Sequence, residues 1–248
     1  MQPFLFYKMR RFGLFFLISV LLYSCTESVS LEDRLAVQVE TEVAQKKGPL
    51  TIIPVVYKKQ YSLQKLTLKS EAQVEVINKL SLQFEEELPL GYEIHYSVNN
   101  GEVLKSETSD LEIGLLQGNN VVLAFLSLAN GLRIPSQNAV YLKNHFVGEE
   151  LEGNVIEKGI HLFHHVSNQA DSSGFYLDFY GKNVPEGSNY FARVIADGNQ
   201  FNVPLNKAFK LNGLTNEYHN IRVQLVDGNG KVVDGPFNDT GVISVEVK

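Results

Sequence analysis

His161, His164 and His165 fall within five residues and form the tightest group of metal-binding side chains in the sequence. Neutral imidazoles are the usual nitrogen ligands of zinc and copper, so the trio raises a metal-handling role. On a helix all three would share a face; on a strand His161 and His165 face one side and His164 the other. Ile160, Leu162 and Val166 around them favour a strand, which splits the trio. A closed site would then need a further ligand, such as His145 or Asp171, because structural zinc takes four. Without one, the histidines are expected on the solvent face of a strand or loop. Glu85-Glu86-Glu87 and Glu149-Glu150 offer paired carboxylates of the kind used in acid–base work. Adjacent carboxylates in turn-like stretches read instead as solvated surface. Asp197-Gly198-Asn199 and Asp227-Gly228-Asn229-Gly230 lack the spaced acidic ligands and distal Glu of a calcium loop, and hairpin turns account for them. There is no Gly-x-Ser-x-Gly elbow, no His-Glu-x-x-His, no phosphate-cradling glycine loop and no dinucleotide fingerprint. No residue stands out as catalytic, and the reading is of a non-enzyme with no bound cofactor.

The elements that must position any such site belong to a folded chain. Of the 248 residues, 44% are hydrophobic and 20% charged, the balance of a globular protein. The net charge of −6, with no Lys/Arg-rich block downstream of residue 11, argues against nucleic acid as a partner, since phosphate binding needs a concentrated basic face. The one cysteine excludes an intramolecular disulfide, so apolar cores must suffice. Trp is absent, which weakens a glycan-binding reading, although exposed Tyr can stack on sugars.

The cysteine has a particular setting. Lys8, Arg10 and Arg11 precede residues 12–22, which are apolar except for Gly13 and Ser19. A basic segment followed by a short apolar run is the layout of a secretory signal peptide, too short to span a bilayer comfortably. The run ends in Leu22-Tyr23-Ser24-Cys25. This resembles the lipobox of bacterial lipoproteins, with an aliphatic residue, a small residue and then the cysteine; Tyr23 is bulkier than usual at its place. The resemblance covers the leader alone. It implies cleavage before Cys25, a thioether-linked diacylglycerol on Cys25, a further acyl chain on its amine, and a cell-envelope location. At about 0.8 kcal/mol per buried CH₂, several acyl chains anchor a protein stably where one would be marginal. Cys25 is then the contact with the lipid bilayer and not a nucleophile. Met9 begins an equally good leader, with the same mature protein.

Residues 26–48 are polar and Glu-rich and read as a tether. Leu31, Leu35, Val39 and Val43 suit a helix, while Val37, Val39, Thr41 and Val43 suit extended chain, and periodicity does not separate the two.

Beyond the tether the sequence repeats itself. Leu82 and Phe84 lead to Pro89-Leu90-Gly91-Tyr92; Leu177 and Phe179 lead to Pro185-Glu186-Gly187 and Tyr190. Leu111, Ile113 and Leu116 match Phe209, Leu211 and Leu214. Val122, Ala124 and Leu126 before Asn130-Gly131 match Ile221, Val223 and Leu225 before Asn229-Gly230, with Pro135 and Pro236 beyond. The offset grows from 95 (Leu82 to Leu177) to 101 (Pro135 to Pro236), and only at turns. Asn99-Asn100-Gly101 and Asp197-Gly198 add residues that tolerate positive φ. Short alternating strands in units of ~100 residues give an all-β fold of two tandem immunoglobulin-like β-sandwich domains. The Cys…Trp…Cys core of antibody domains is missing, so the resemblance is to the broad class of bacterial Ig-like envelope modules. The expected divisions are 1–24 signal peptide, 25–48 lipidated cysteine and tether, 49–145 first module and 150–248 second module, joined around residues 146–153. The functional expectation is an envelope lipoprotein that binds or scaffolds, with another envelope protein or a glycan as partner; the alternative is metal handling through His161, His164 and His165.

Overall fold

The computed structural model describes residues 38–39, 44–56, 68–71, 79–84, 88, 91–108, 110–128, 131–134, 140–148, 158–167, 174–215 and 217–247. Cys25, Glu85–87, Asn130, Pro135, Glu149, Glu150 and Asp171 lie outside them. Every element the described residues form is a strand: β1 (Gln38–Val39), β2 (Gln45–Lys47), β3 (Leu50–Val56), β4 (Leu68–Glu71), β5 (Lys79–Phe84), β6 (Tyr92–Val98), β7 (Leu104–Ser106), β8 (Asp110–Gly114) and β9 (Gly118–Leu128). There follow β10 (Val140–Val147), β11 (His161–Val166), β12 (Phe175–Lys182), β13 (Phe191–Ala196), β14 (Asn199–Pro204), β15 (Ala208–Asn212), β16 (Tyr218–Val226) and β17 (Ile243–Glu246).

The strand order is the same twice. β4-β5-β8 forms one sheet and β10-β9-β6-β7 its partner; β11-β12-β15 and β17-β16-β13-β14 repeat that order. All pairings are antiparallel, and the arrangement is an Ig-like sandwich. The register repeats as well. Leu82 pairs Leu111 as Leu177 pairs Phe209, and Ile94 pairs Leu126 as Ala192 pairs Leu225. These residues are buried, because alternation sends every second side chain into the core of its module. Where the first module has Ile94 and Val98, the second has Ala192 and Ala196, and its core also holds Phe175, Phe179, Phe201 and Phe209.

The turns repeat in detail. Asn99 and Asn100 have φ of 54° and 57°, and the Gly101 N–H donates to Val98 O at 2.9 Å, a type I′ hairpin. Asp197 and Gly198, with φ of 45° and 80°, make the matching hairpin. Asn99 Oδ1 accepts the Val121 N–H at 2.7 Å, as Asp197 Oδ1 accepts that of Asn220 at 3.0 Å.

One element departs from the expected division at residue 49. β3 does not join the first module; it lies on the free edge of β15, with Ile52 opposite Leu211 and Pro54 opposite Phe209. Leu50 and Ile52 enter the core of the second module. The physical reason is that β15 would otherwise be an edge strand with a row of unpaired N–H and C=O groups. β2 and β1 then pair the outer side of β3, and Pro54, which has no N–H, falls in the gap between the stretches they pair. The tether is therefore extended at Gln38–Val39 and Gln45–Lys47 and belongs to a sheet there. Gln45 Nε2 donates to Asn202 O on β14 at 2.6 Å, linking this added edge to the facing sheet.

Candidate functional site at the joint between modules

β11 is HLFHHV, and all six side chains are buried. Leu162 and Val166 join the core of the second module, and by alternation His164 shares their face. Phe163 on the opposite face packs in a second cluster with Tyr180 of β12 and with Val121, Leu123 and Phe125 of β9. The outer face of the β11–β12 pair is thus covered by the outer face of β9 and β10 of the first module, with Val140 and Leu142 at its margin. Aromatic contacts fill this joint: Phe125 lies 4.8 Å from the His165 ring and 5.9 Å from Tyr180, and Phe237 lies 5.1 Å from Phe163 and 5.7 Å from His161.

Ties between ionisable side chains cross it. His95 Nδ1 on β6 and His165 Nε2 on β11 are 3.4 Å apart, both rings being 1% exposed. His95 Nε2 is 3.0 Å from the Glu93 carboxylate, which Lys105 approaches to 3.6 Å. With His95 donating to Glu93, its Nδ1 accepts, and the proton between the rings belongs to His165. The second tie is Arg133 Nε donating to Asp178 Oδ1 at 2.8 Å, with the guanidinium 5.3 Å from the Tyr180 ring centre. Asp178 stands cross-strand from His165 and is fully buried.

Burial sets the charge states. It is the largest influence on His95 and lowers its pKa, opposed by the hydrogen bond to Glu93. Burial holds His165 well below the ordinary histidine value, and neighbouring His95, His164 and Lys105 add to the effect. His164 is lowered to about 4 by burial. The Asp178 carboxyl is raised to about 6 by burial, against the pull of Arg133.

Two asparagines complete the exposed edge of β11. Asn100, from the hairpin of the first module, donates to Leu162 O at 2.8 Å and accepts the His164 N–H at 3.3 Å. Asn238 donates to Ile160 O at 2.8 Å and accepts the Leu162 N–H at 2.9 Å. A side-chain amide offers the same donor and acceptor as a peptide group, so each substitutes for one rung of a missing strand.

The strand reading of the histidines and the splitting of the trio hold, but the expected solvent face does not. β11 is buried on both faces, and its histidines serve two different interiors. His145 has Tyr141 Oη at 2.7 Å, and among the described residues no three His, Cys, Asp or Glu side chains converge to hold a metal. Sequence reasoning missed His95, Asn100, Arg133, Asp178 and Asn238. One signal was present. β11 carries apolar residues on both faces, and on β12 Tyr176 and Tyr180 share the face of Asp178 while Leu177 and Phe179 occupy the other, a near-continuous apolar run of the kind found in strands covered on both sides.

No protein-family model matches the chain, and no curated protein matches it by sequence. Solved structures of similar shape are fibronectin(III)-like modules of Clostridium thermocellum CbhA, at 10% identity over 73% of this chain and 94% of that one, TM-score 0.25. Domains 7, 8 and 9 of the S-layer protein SbsC align at 10% identity over 80% and 69%, TM-score 0.22. The central fibronectin-III array of RIM-binding protein aligns at 10% identity over 75% and 62%, TM-score 0.25. The all-β, tandem-sandwich assignment rests on the strand order and register described above.

Proposed function

We propose that the chain is a lipid-anchored envelope protein whose two sandwiches form a non-catalytic body for binding or scaffolding. The observation that carries this reading is the use made of the reactive side chains. His95, His165, Arg133 and Asp178 are spent joining one module to the other, and Asn100 and Asn238 on finishing a sheet edge. What remains for recognition are loops and strand edges, where such sandwiches meet proteins or glycans. Tyr218, 72% exposed, is the largest outward aromatic surface among the described residues. The anchor is Cys25, and the tether that follows it runs into the sheet of the second module through β2 and β3.

The test is fractionation of cells carrying wild type or Cys25→Ala, with protease added to intact cells beside a periplasmic control. Wild type is expected in the membrane fraction and Cys25→Ala in the soluble one; a membrane-bound Cys25→Ala variant removes the lipid anchor. Digestion of wild type with the control spared puts the modules outside the cell, and protection puts them in the periplasm. A binding screen against envelope proteins and glycans that finds no partner in that compartment overturns the binding role.

A further inference from the structure

We infer that acid opens the joint between the two modules while each module stays folded, so that the joint is a proton-operated hinge. Among the described residues two carboxylates, Glu93 and Asp178, enter the joint: Asp178 is held by Arg133, and Glu93 lies 3.0 Å from His95 and 3.6 Å from Lys105. Glu93 can therefore pair one added charge, on His95, while His165 has no carboxylate hydrogen-bonded to it among the described residues. Protonating both rings places two positive charges 3.4 Å apart at side chains that are 1% exposed, with one shared carboxylate between them. On His165 only the Gly131 backbone favours the charged form, and burial, His95, His164 and Lys105 all oppose it. His164 presses from the opposite face of β11, and His161 stands cross-strand from Lys182. On β10, the charged neighbours of His145 are Lys143 and Lys182.

The joint is also the weaker of the interiors it touches. Its cluster holds five buried apolar side chains against eighteen in the core of the second module. It can part without exposing that core, since Leu162 and Phe163 point into different clusters.

The sign follows from linkage. His95 and His165 have lowered values in the closed joint, so they favour closure above the ordinary histidine value and lose that contribution as pH falls below it. A histidine that stays neutral when closed and protonates when open shifts the balance toward opening by about 25-fold between pH 7 and 5. Asp178, raised to about 6, takes a proton more readily in the closed joint and works in the opposite sense, by about ninefold over the same interval. His165 alone outweighs it by about threefold, and with His95 also neutral in the closed joint the net shift reaches about 70-fold.

Two amides on one strand read the hinge directly. The His164 N–H is held by Asn100 across the joint, and the Leu162 N–H by Asn238 within the second module. Residue-resolved amide exchange on the full chain at pH 7 and pH 5, corrected for intrinsic rates, is expected to show His164 losing up to about 70-fold protection while Leu162 keeps its own. The double variant His95→Gln, His165→Gln, neutral at both pH values, is expected to lose this response. Should His165→Gln fail to fold, His95→Gln alone is expected to cut the loss to about threefold, by the same arithmetic. Retained protection of His164 at pH 5, parallel loss at both amides, or an undiminished response in the variants would each overturn the hinge.

Discussion

The same hairpin occurs in both modules and does different work in each. Asn99-Asn100 and Asp197-Gly198 share a backbone conformation and the same hydrogen bonds to the neighbouring strand. At the first, the Asn100 amide reaches into the second module and completes β11. At the second, Gly198 has open space where a Cβ would be, and Asp197 turns instead to His219 at 2.6 Å. The glycines after the sixth strand of each module diverge in the same way. Gly131 and Gly230 both have positive φ, 83° and 80°, and both donate to a carbonyl three residues back. Gly131 lies so close to Ser167 of the second module that a Cβ would overlap the serine's own, whereas at Gly230 the nearest atom is Nη2 at the far end of the Arg193 side chain, 3.1 Å away. The two copies share a backbone, and what makes the joint is the side chains at one end of the first copy.

The largest expected effect comes from removing a charge at the joint that has no counterpart in the second module. Arg133→Met leaves Asp178 fully buried without a cation, which costs about 3–5 kcal/mol when the carboxyl is ionised. A carboxyl whose value is raised on folding opposes folding above that value and ceases to do so below it. The loss measured by denaturant unfolding should therefore be large at pH 8 and shrink at pH 5. Equal losses at both would mean that Asp178 is not the group left uncompensated.

The glycine pair sharpens the contrast. Gly230→Ala should cost about 1–2 kcal/mol, the ordinary expense of a left-handed alanine. Gly131→Ala carries that and an overlap with Ser167, so about 1–3 kcal/mol more is expected, the usual range for overpacking. Thermal midpoints of the two variants decide it, and equal shifts would show that the Gly131 turn does not press on the second module.

The hairpins give a smaller contrast. Asn100→Gly keeps the positive φ and removes both hydrogen bonds to β11, so about 1–2 kcal/mol should be lost. The reciprocal Gly198→Asn should be nearly silent, since the position is open and asparagine tolerates the conformation. A destabilising Gly198→Asn would break the claim that the second hairpin is unengaged.

How far the sequence revealed this arrangement follows from which interactions are periodic. The strands of both modules were legible, because alternation and turn residues are local and the repeat supplied each twice. Leu82, Leu111, Leu177 and Phe209 take the places their matching order implied. β3 was misassigned because LTIIPVV reads as a strand wherever it goes, and nothing local says that its partner is β15, more than 150 residues on. The histidines were legible as a strand and not as a joint. His95 and His165 are 70 residues apart, and their meeting depends on how one sandwich packs on another. Cys25 was read from the resemblance of its leader to a lipobox and the tether before Gln38 from composition, and both lie outside the described residues.

The smallest effect expected is at His219, and it has the opposite sign to that at the joint. Burial lowers its value, but hydrogen bonds to Thr215 O and to the Asp197 carboxylate, together with nearby Glu217, prevail and raise it above the ordinary histidine value. A raised histidine contributes stability that is fully present below its unfolded value and is lost as pH rises through the folded one. Wild type should therefore exceed His219→Gln in thermal midpoint at pH 5.5, with the gap closing by pH 8.5. At His164, whose value falls to about 4, the order reverses: its contribution is present above the ordinary histidine value and is lost as pH drops toward 4. A His219→Gln gap that widened with rising pH would mean that the Asp197 hairpin does not hold a charged imidazole. The contrast between a hairpin spent on the joint and one spent on its own neighbour would then fail at its second half.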